Sequence, residues 1–152
     1  MSQTASSVAR LLEERGRPEE SPDDVIRRIA AETIAFVSGL GWAGPAFCPR
    51  LLASLLGIRV EERNVLSGEA QLTPTSDNRF LIEVDPRPPL VRQNYSICHE
   101  VVHTFFPDCA SERRQRTGKS TDEVERLCQV GASELLLPEA AFREASSLQG
   151  TS

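Results

Sequence analysis

The run His99-Glu100-Val101-Val102-His103 constrains this chain more than any other stretch, because it holds both of the protein's histidines. Residues four apart on a helix lie on one face, so the two imidazoles point the same way. Two imidazole nitrogens so placed can bind one zinc ion, and the glutamate between them can reach a water on that ion. The pattern therefore implies one zinc ion (Zn2+) held by His99 and His103, with Glu100 as general base for hydrolysis. The competing reading is a helix on which two solvated histidines fall four apart by accident.

At 152 residues the chain suits one domain with a modest core. The bounds expected are a mobile leader over 1–20, a single domain over 21–145 and a flexible tail over 146–152. A formal net charge of -5, without a long Lys/Arg run, argues against direct nucleic-acid binding. No apolar run approaches the length of a membrane span, and residues 1–20 lack the apolar core of a signal peptide. The four cysteines include no C-x-x-C pair, which removes a separate zinc-ribbon site and fits an intracellular protein with free thiols. Cys98 and Cys128 fall at apolar helix positions and read as small core residues. Cys109 is expected in or near a loop and away from the site, an approach to the site being the alternative.

Within the leader, Ser7 to Arg15 has only weak helical patterning. Ser21-Pro22-Asp23-Asp24 marks a firmer helix start, with a capping serine, a proline suited to the first turn, and aspartates that complement the helix dipole. Val25, Ile26, Ile29, Ile34, Phe36 and Val37 give that helix an apolar side, and Gly39 or Gly41 ends it. A turn-rich linker containing Trp42 follows, then a short helix from about Arg50 to Leu56. That helix carries Arg50 as its only base, which disfavours a helix-turn-helix reader of DNA. Alternating residues then mark strands at Ile58–Val60, Ala70–Leu72 and Phe80–Val84, with a hairpin turn at Ser76-Asp77-Asn78. The expected architecture is α+β, with a small antiparallel sheet of three strands ahead of the motif helix.

The motif helix is expected from about Leu90 to Phe106. Arg92, Ser96, His99, Glu100 and His103 share one side of it, a polar stripe suited to lining a wet cleft. A catalytic zinc usually has three protein ligands and an open position. With no histidine left, the third must be Asp, Glu or Cys. The metzincin pattern fails, since Phe106 stands where a glycine is needed and Cys109 where a ligand is needed. A second helix offers a carboxylate instead. It starts near Ser120-Thr121-Asp122-Glu123, with Ser120 and Glu123 as a capping box, and buries Val124, Leu127, Cys128, Ala132, Leu135 and Leu136. Glu123 points away from that stripe, whereas Glu125 sits at its edge. Glu125 is therefore the expected third ligand, and a partly buried ion pair with Arg92 is the alternative.

The stretch from Arg92 to His103, the Glu125-to-Pro138 helix, and the Leu51-to-Val60 helix-to-strand passage together resemble the ImmA/IrrE family of zinc metallopeptidases. Their family patterns run R-F-T-L-A-H-E-L-G-H and E-x-x-A-x-x-F-A-x-E-L-L-x-P. The likeness covers roughly residues 22 to 143. It implies a compact, zincin-like α+β fold, His99, His103 and Glu125 as zinc ligands, and Glu100 as general base. It also implies a cytoplasmic endopeptidase of narrow specificity that cuts a protein substrate, a DNA-binding repressor, to release stress or mobile-element genes. A zinc-stabilised module that sequesters such a partner without cutting it would read the same in sequence. Three departures stand out: Val102 for the glycine of H-E-L-G-H, Gly131 for a phenylalanine, and Tyr95 for a phenylalanine. Arg92 and Tyr95 are the candidate transition-state stabilisers.

Overall fold

The computed structural model describes residues 6–41, 48–66, 68–110 and 121–136. The linker around Trp42, the capping residue Ser120, Pro138 of the second motif and the tail from 146 lie outside the described residues. In chain order the elements are helix α1 (Ser7–Arg15), α2 (Pro22–Gly39) and α3 (Pro49–Leu55), then strands β1 (Arg59–Glu62), β2 (Ala70–Pro74) and β3 (Phe80–Val84), then α4 (Leu90–His103) and α5 (Asp122–Leu136).

The segment read from sequence as a mobile leader contains a packed helix. Ser6 caps α1 by accepting from the Ala9 N–H, and Val8 and Leu11 are buried in the core. Polar ties fix it further. Ser7 donates to Asp108, and Arg15 donates to the Phe105 carbonyl just beyond the motif helix. Two buried apolar residues on a nine-residue helix make a weak pattern, which is why burial was not evident from the sequence alone.

Helix α2 starts as its sequence dictates, with Ser21 accepting from the Asp24 N–H. Val25, Ile26, Ile29 and Val37 are buried, but Phe36, placed on the apolar side by periodicity, is exposed. The sheet is mixed rather than wholly antiparallel. Its order is β1-β3-β2, with β2 antiparallel and β1 parallel to the central β3. The β2–β3 hairpin follows from its turn: Asn78 takes a positive φ of 62°, and Thr75 and Arg79 exchange hydrogen bonds. Alternation in Arg59–Glu62 marks a strand but does not name its partner. β3 inserts between β1 and β2, so β1 meets β3 in parallel.

Helix α4 lies in the core against α3, α5 and the sheet, and its Ile97, Val101 and Val102 are fully buried. It ends at His103, three residues short of the expected Phe106, as the chain tightens into a turn with Phe105 N–H on the Val102 carbonyl. Its entry has no side-chain cap. Other groups hold that end. Gln93 donates to the Pro86 and Pro88 carbonyls and accepts from Arg50 of α3. Eight residues earlier, the buried Asp85 accepts from the Arg87 guanidinium and backbone N–H and from the Val65 N–H. These bonds lock the strand-to-helix corner that aims the motif.

Candidate metal centre

The two histidines of α4 face α5. Their rings lie 5.2 Å apart, edge to face. His99 is half-buried and His103 is 4% exposed. Opposite them, Glu125 in the first turn of α5 places Oε2 2.7 Å from His99 Nε2 and Oε1 3.4 Å from His103 Nε2. Thr121 starts that helix by accepting from the Val124 N–H, a cap one residue beyond the expected Ser120. The register so set turns Glu125 inward and leaves Glu123 exposed.

The alternative partner for Glu125 is engaged elsewhere. Arg92 is exposed and pairs with Glu69 at 2.9 Å. Tyr95 lies closer to the site, its ring 6.2 Å from that of His99. Burial pushes its phenol above the ordinary value, and Cys128 and Glu69 act in the same direction. The phenol therefore stays protonated at neutral pH and can donate a hydrogen bond.

His99, Glu100, Glu125, Tyr95 and Ser96 line a cleft of about 640 Å³ with Glu69, Ala70 and Gln71. Glu100 is 7% exposed and still reaches the cleft wall. The cleft's other wall is the start of β2, whose far edge pairs with no strand among the described residues.

The donor set fits a zinc ion. Imidazole nitrogen and carboxylate oxygen are its ordinary ligands. The buried His103 Nε2 makes no hydrogen bond among the described residues, although it faces the Glu125 carboxylate. A buried polar nitrogen left that way is costly unless something else satisfies it, and a metal ion would.

One cluster member was not expected as such. The ligating atoms of His99, His103 and Cys128 all lie within 4.8 Å of one another. Cys128 was read from its apolar neighbours as a small core residue, and it is indeed fully buried. Its spacing carried the missing signal: it lies three residues beyond Glu125 on one helix, hence on the same face. Cys98 and Cys109 are buried within the apolar core and Cys48 is exposed.

A peptidase family model described as the IrrE N-terminal-like domain matches residues 53–152. The match covers most of the chain, and the protein belongs to this family. Family membership supports a metallopeptidase-type activity, and the His/His/Cys cluster provides a possible metal-binding group. No curated protein matches the chain. Among the described residues no helix is long and apolar enough to cross a membrane.

Proposed function

We propose that this protein is a zinc-dependent endopeptidase of narrow specificity, with His99, His103 and Glu125 as metal ligands and Glu100 as general base. The observation that carries this reading is the convergence of Glu125 on both histidines at the wall of an open cleft. Zinc, when bound, polarises the scissile carbonyl and brings the pKa of a water toward about 7. The protein's own groups do the rest. Glu100 takes the proton of the attacking water and hands it to the leaving amine. The edge of β2, unpaired among the described residues, offers backbone groups along which an extended peptide can lie as an added strand. Tyr95, lining the same cleft, donates a hydrogen bond to the developing oxyanion. Arg92, which does not line the cleft and is paired with Glu69 at its wall, fits that role less well.

The substrate in this proposal is a DNA-binding repressor, cut in the cytoplasm so that stress or mobile-element genes are released. The resemblance of both helical motifs to the ImmA/IrrE family supports it. A second reading, a zinc-stabilised module that holds its partner uncut, is favoured by one observation. The Cys128 thiol beside the histidines would give the metal a fourth protein donor. Incubating the zinc-loaded chain with the repressor encoded nearest to it separates the two. Defined cleavage products that vanish in Glu100→Gln support the peptidase. A stable complex with an intact partner supports the module.

A further inference from the structure

We propose that Cys128 is itself a metal ligand, its Sγ joining His99, His103 and Glu125 in a four-donor site; the proposal builds on the metal centre assigned above. Three observations carry it. The Sγ and both imidazole nitrogens already lie within 4.8 Å of one another. Around a tetrahedral zinc, with Zn–N of about 2.0–2.1 Å and Zn–S of about 2.3 Å, nitrogen and sulfur stand roughly 3.6 Å apart, so small side-chain adjustments suffice. The His103 Nε2, in a residue 4% exposed and without a hydrogen bond among the described residues, faces the Glu125 carboxylate of the same helix as Cys128. Finally, Glu125 and Cys128 lie three residues apart on α5, so one helix presents both a carboxylate and a thiol to the pair on α4.

The chemistry is a proton-for-metal exchange. The Cys128 S–H bond breaks, its proton passes to solvent, and an S–metal bond forms. Four protein donors make a closed site, whereas hydrolytic zinc sites keep one position open for water. The thiolate thus holds the place water must take.

Cobalt(II) titration of the full chain tests this without any activity measurement. Cobalt bound through a thiolate absorbs in the near ultraviolet by sulfur-to-metal charge transfer, and cobalt bound only by nitrogen and oxygen does not. The expected result is that band at one cobalt per chain in the parent protein and in Cys98→Ala. Cys128→Ala should lack the band and bind cobalt at least about tenfold more weakly. Stoichiometric cobalt without the band would overturn the proposal and leave the His99/His103/Glu125 site standing. Persistence of the band in Cys128→Ala would overturn it as well. Failure to bind cobalt at all would overturn both the proposal and the metal centre it builds on.

Discussion

Glu100, Glu125 and Tyr95 hold different positions around the two histidines, and each predicts a different kinetic signature. Glu100 is a base in the proposed reaction and not a ligand. Glu100→Gln should keep one zinc per chain while cleavage falls by about 10²–10⁴-fold. Parent-like cleavage in that variant would remove Glu100 from the mechanism. Glu125 Oε2 lies 2.7 Å from His99 Nε2, in direct hydrogen-bond contact, so a short side-chain shift would let both groups bind one metal. Glu125→Gln should weaken zinc binding at least about tenfold in a competitive chelator titration, and an unchanged affinity would take Glu125 out of the coordination sphere. Tyr95→Phe keeps the ring against His99 and removes the hydroxyl. If that hydroxyl meets the oxyanion, kcat should fall about 10²–10³-fold with KM nearly unchanged. A matching loss in Arg92→Gln instead would move the role to Arg92.

At the scale of elements, the two sequence departures at Val102 and Gly131 are one packing arrangement. A Cβ added at Gly131 would come within 2.7 Å of both γ carbons of Val102 and 3.0 Å of Ile26 Cγ2. The valine on α4 fills the space that the glycine on α5 leaves, so a large residue and a small one have changed places across the helix pair. Glycine costs its helix up to about 1 kcal/mol of propensity, offset by close approach of the two helices that carry the donors. Gly131→Ala should therefore destabilise the protein by about 1–3 kcal/mol through overpacking, despite the better helix former. Combining it with Val102→Ala should cost less than the two changes summed, with a coupling of about 1 kcal/mol in denaturant unfolding. Additive costs would mean that the contact between them does not govern the packing.

That pairing also shows what a sequence can and cannot disclose. Val102 and Gly131 were each visible as unusual residues, but their compensation depends on which faces of α4 and α5 meet. The HExxH spacing and the turn at Ser76–Asn78 were legible because they are local: one helix face and one hairpin. The inward placement of Glu125 was legible because its angle on α5 could be measured against a strong apolar stripe. Cys128 was not, since a buried cysteine packs like any small apolar residue until the neighbouring helix brings histidines to it. The parallel pairing of β1 and the docking of α1 are long-range matters that periodicity does not encode.

At the scale of the whole molecule, two depressed carboxylates tie the acid stability of the fold to the parts that aim the site. Arg87, through side chain and backbone, holds Asp85 well below the usual carboxylate range, and the Val65 N–H acts in the same direction. Glu20, between α1 and α2, is lowered to about 2, first by its hydrogen bonds with Arg28 and then by the Arg17 N–H. A group whose pKa is lower folded than unfolded stabilises the fold above its unfolded value and loses that contribution as pH falls through its folded value. Unfolded Asp and Glu titrate near about 3.9 and 4.3. Stability should thus hold above pH of about 4.5 and decline from there toward 2. Asp85→Asn should be less stable at neutral pH and show a shallower acid decline in thermal unfolding. An identical acid profile in that variant would mean the corner before α4 is held by other groups.

If α4 and α5 together form a metal centre, the purified chain carries a stoichiometric metal ion. The chain should be purified without a histidine tag, supplemented with zinc, freed of excess and analysed for metal. One zinc per chain is expected, with loss of that zinc in His103→Ala and the fold retained by circular dichroism. A zinc content near zero in the parent protein, or full zinc retained in His103→Ala, would contradict it.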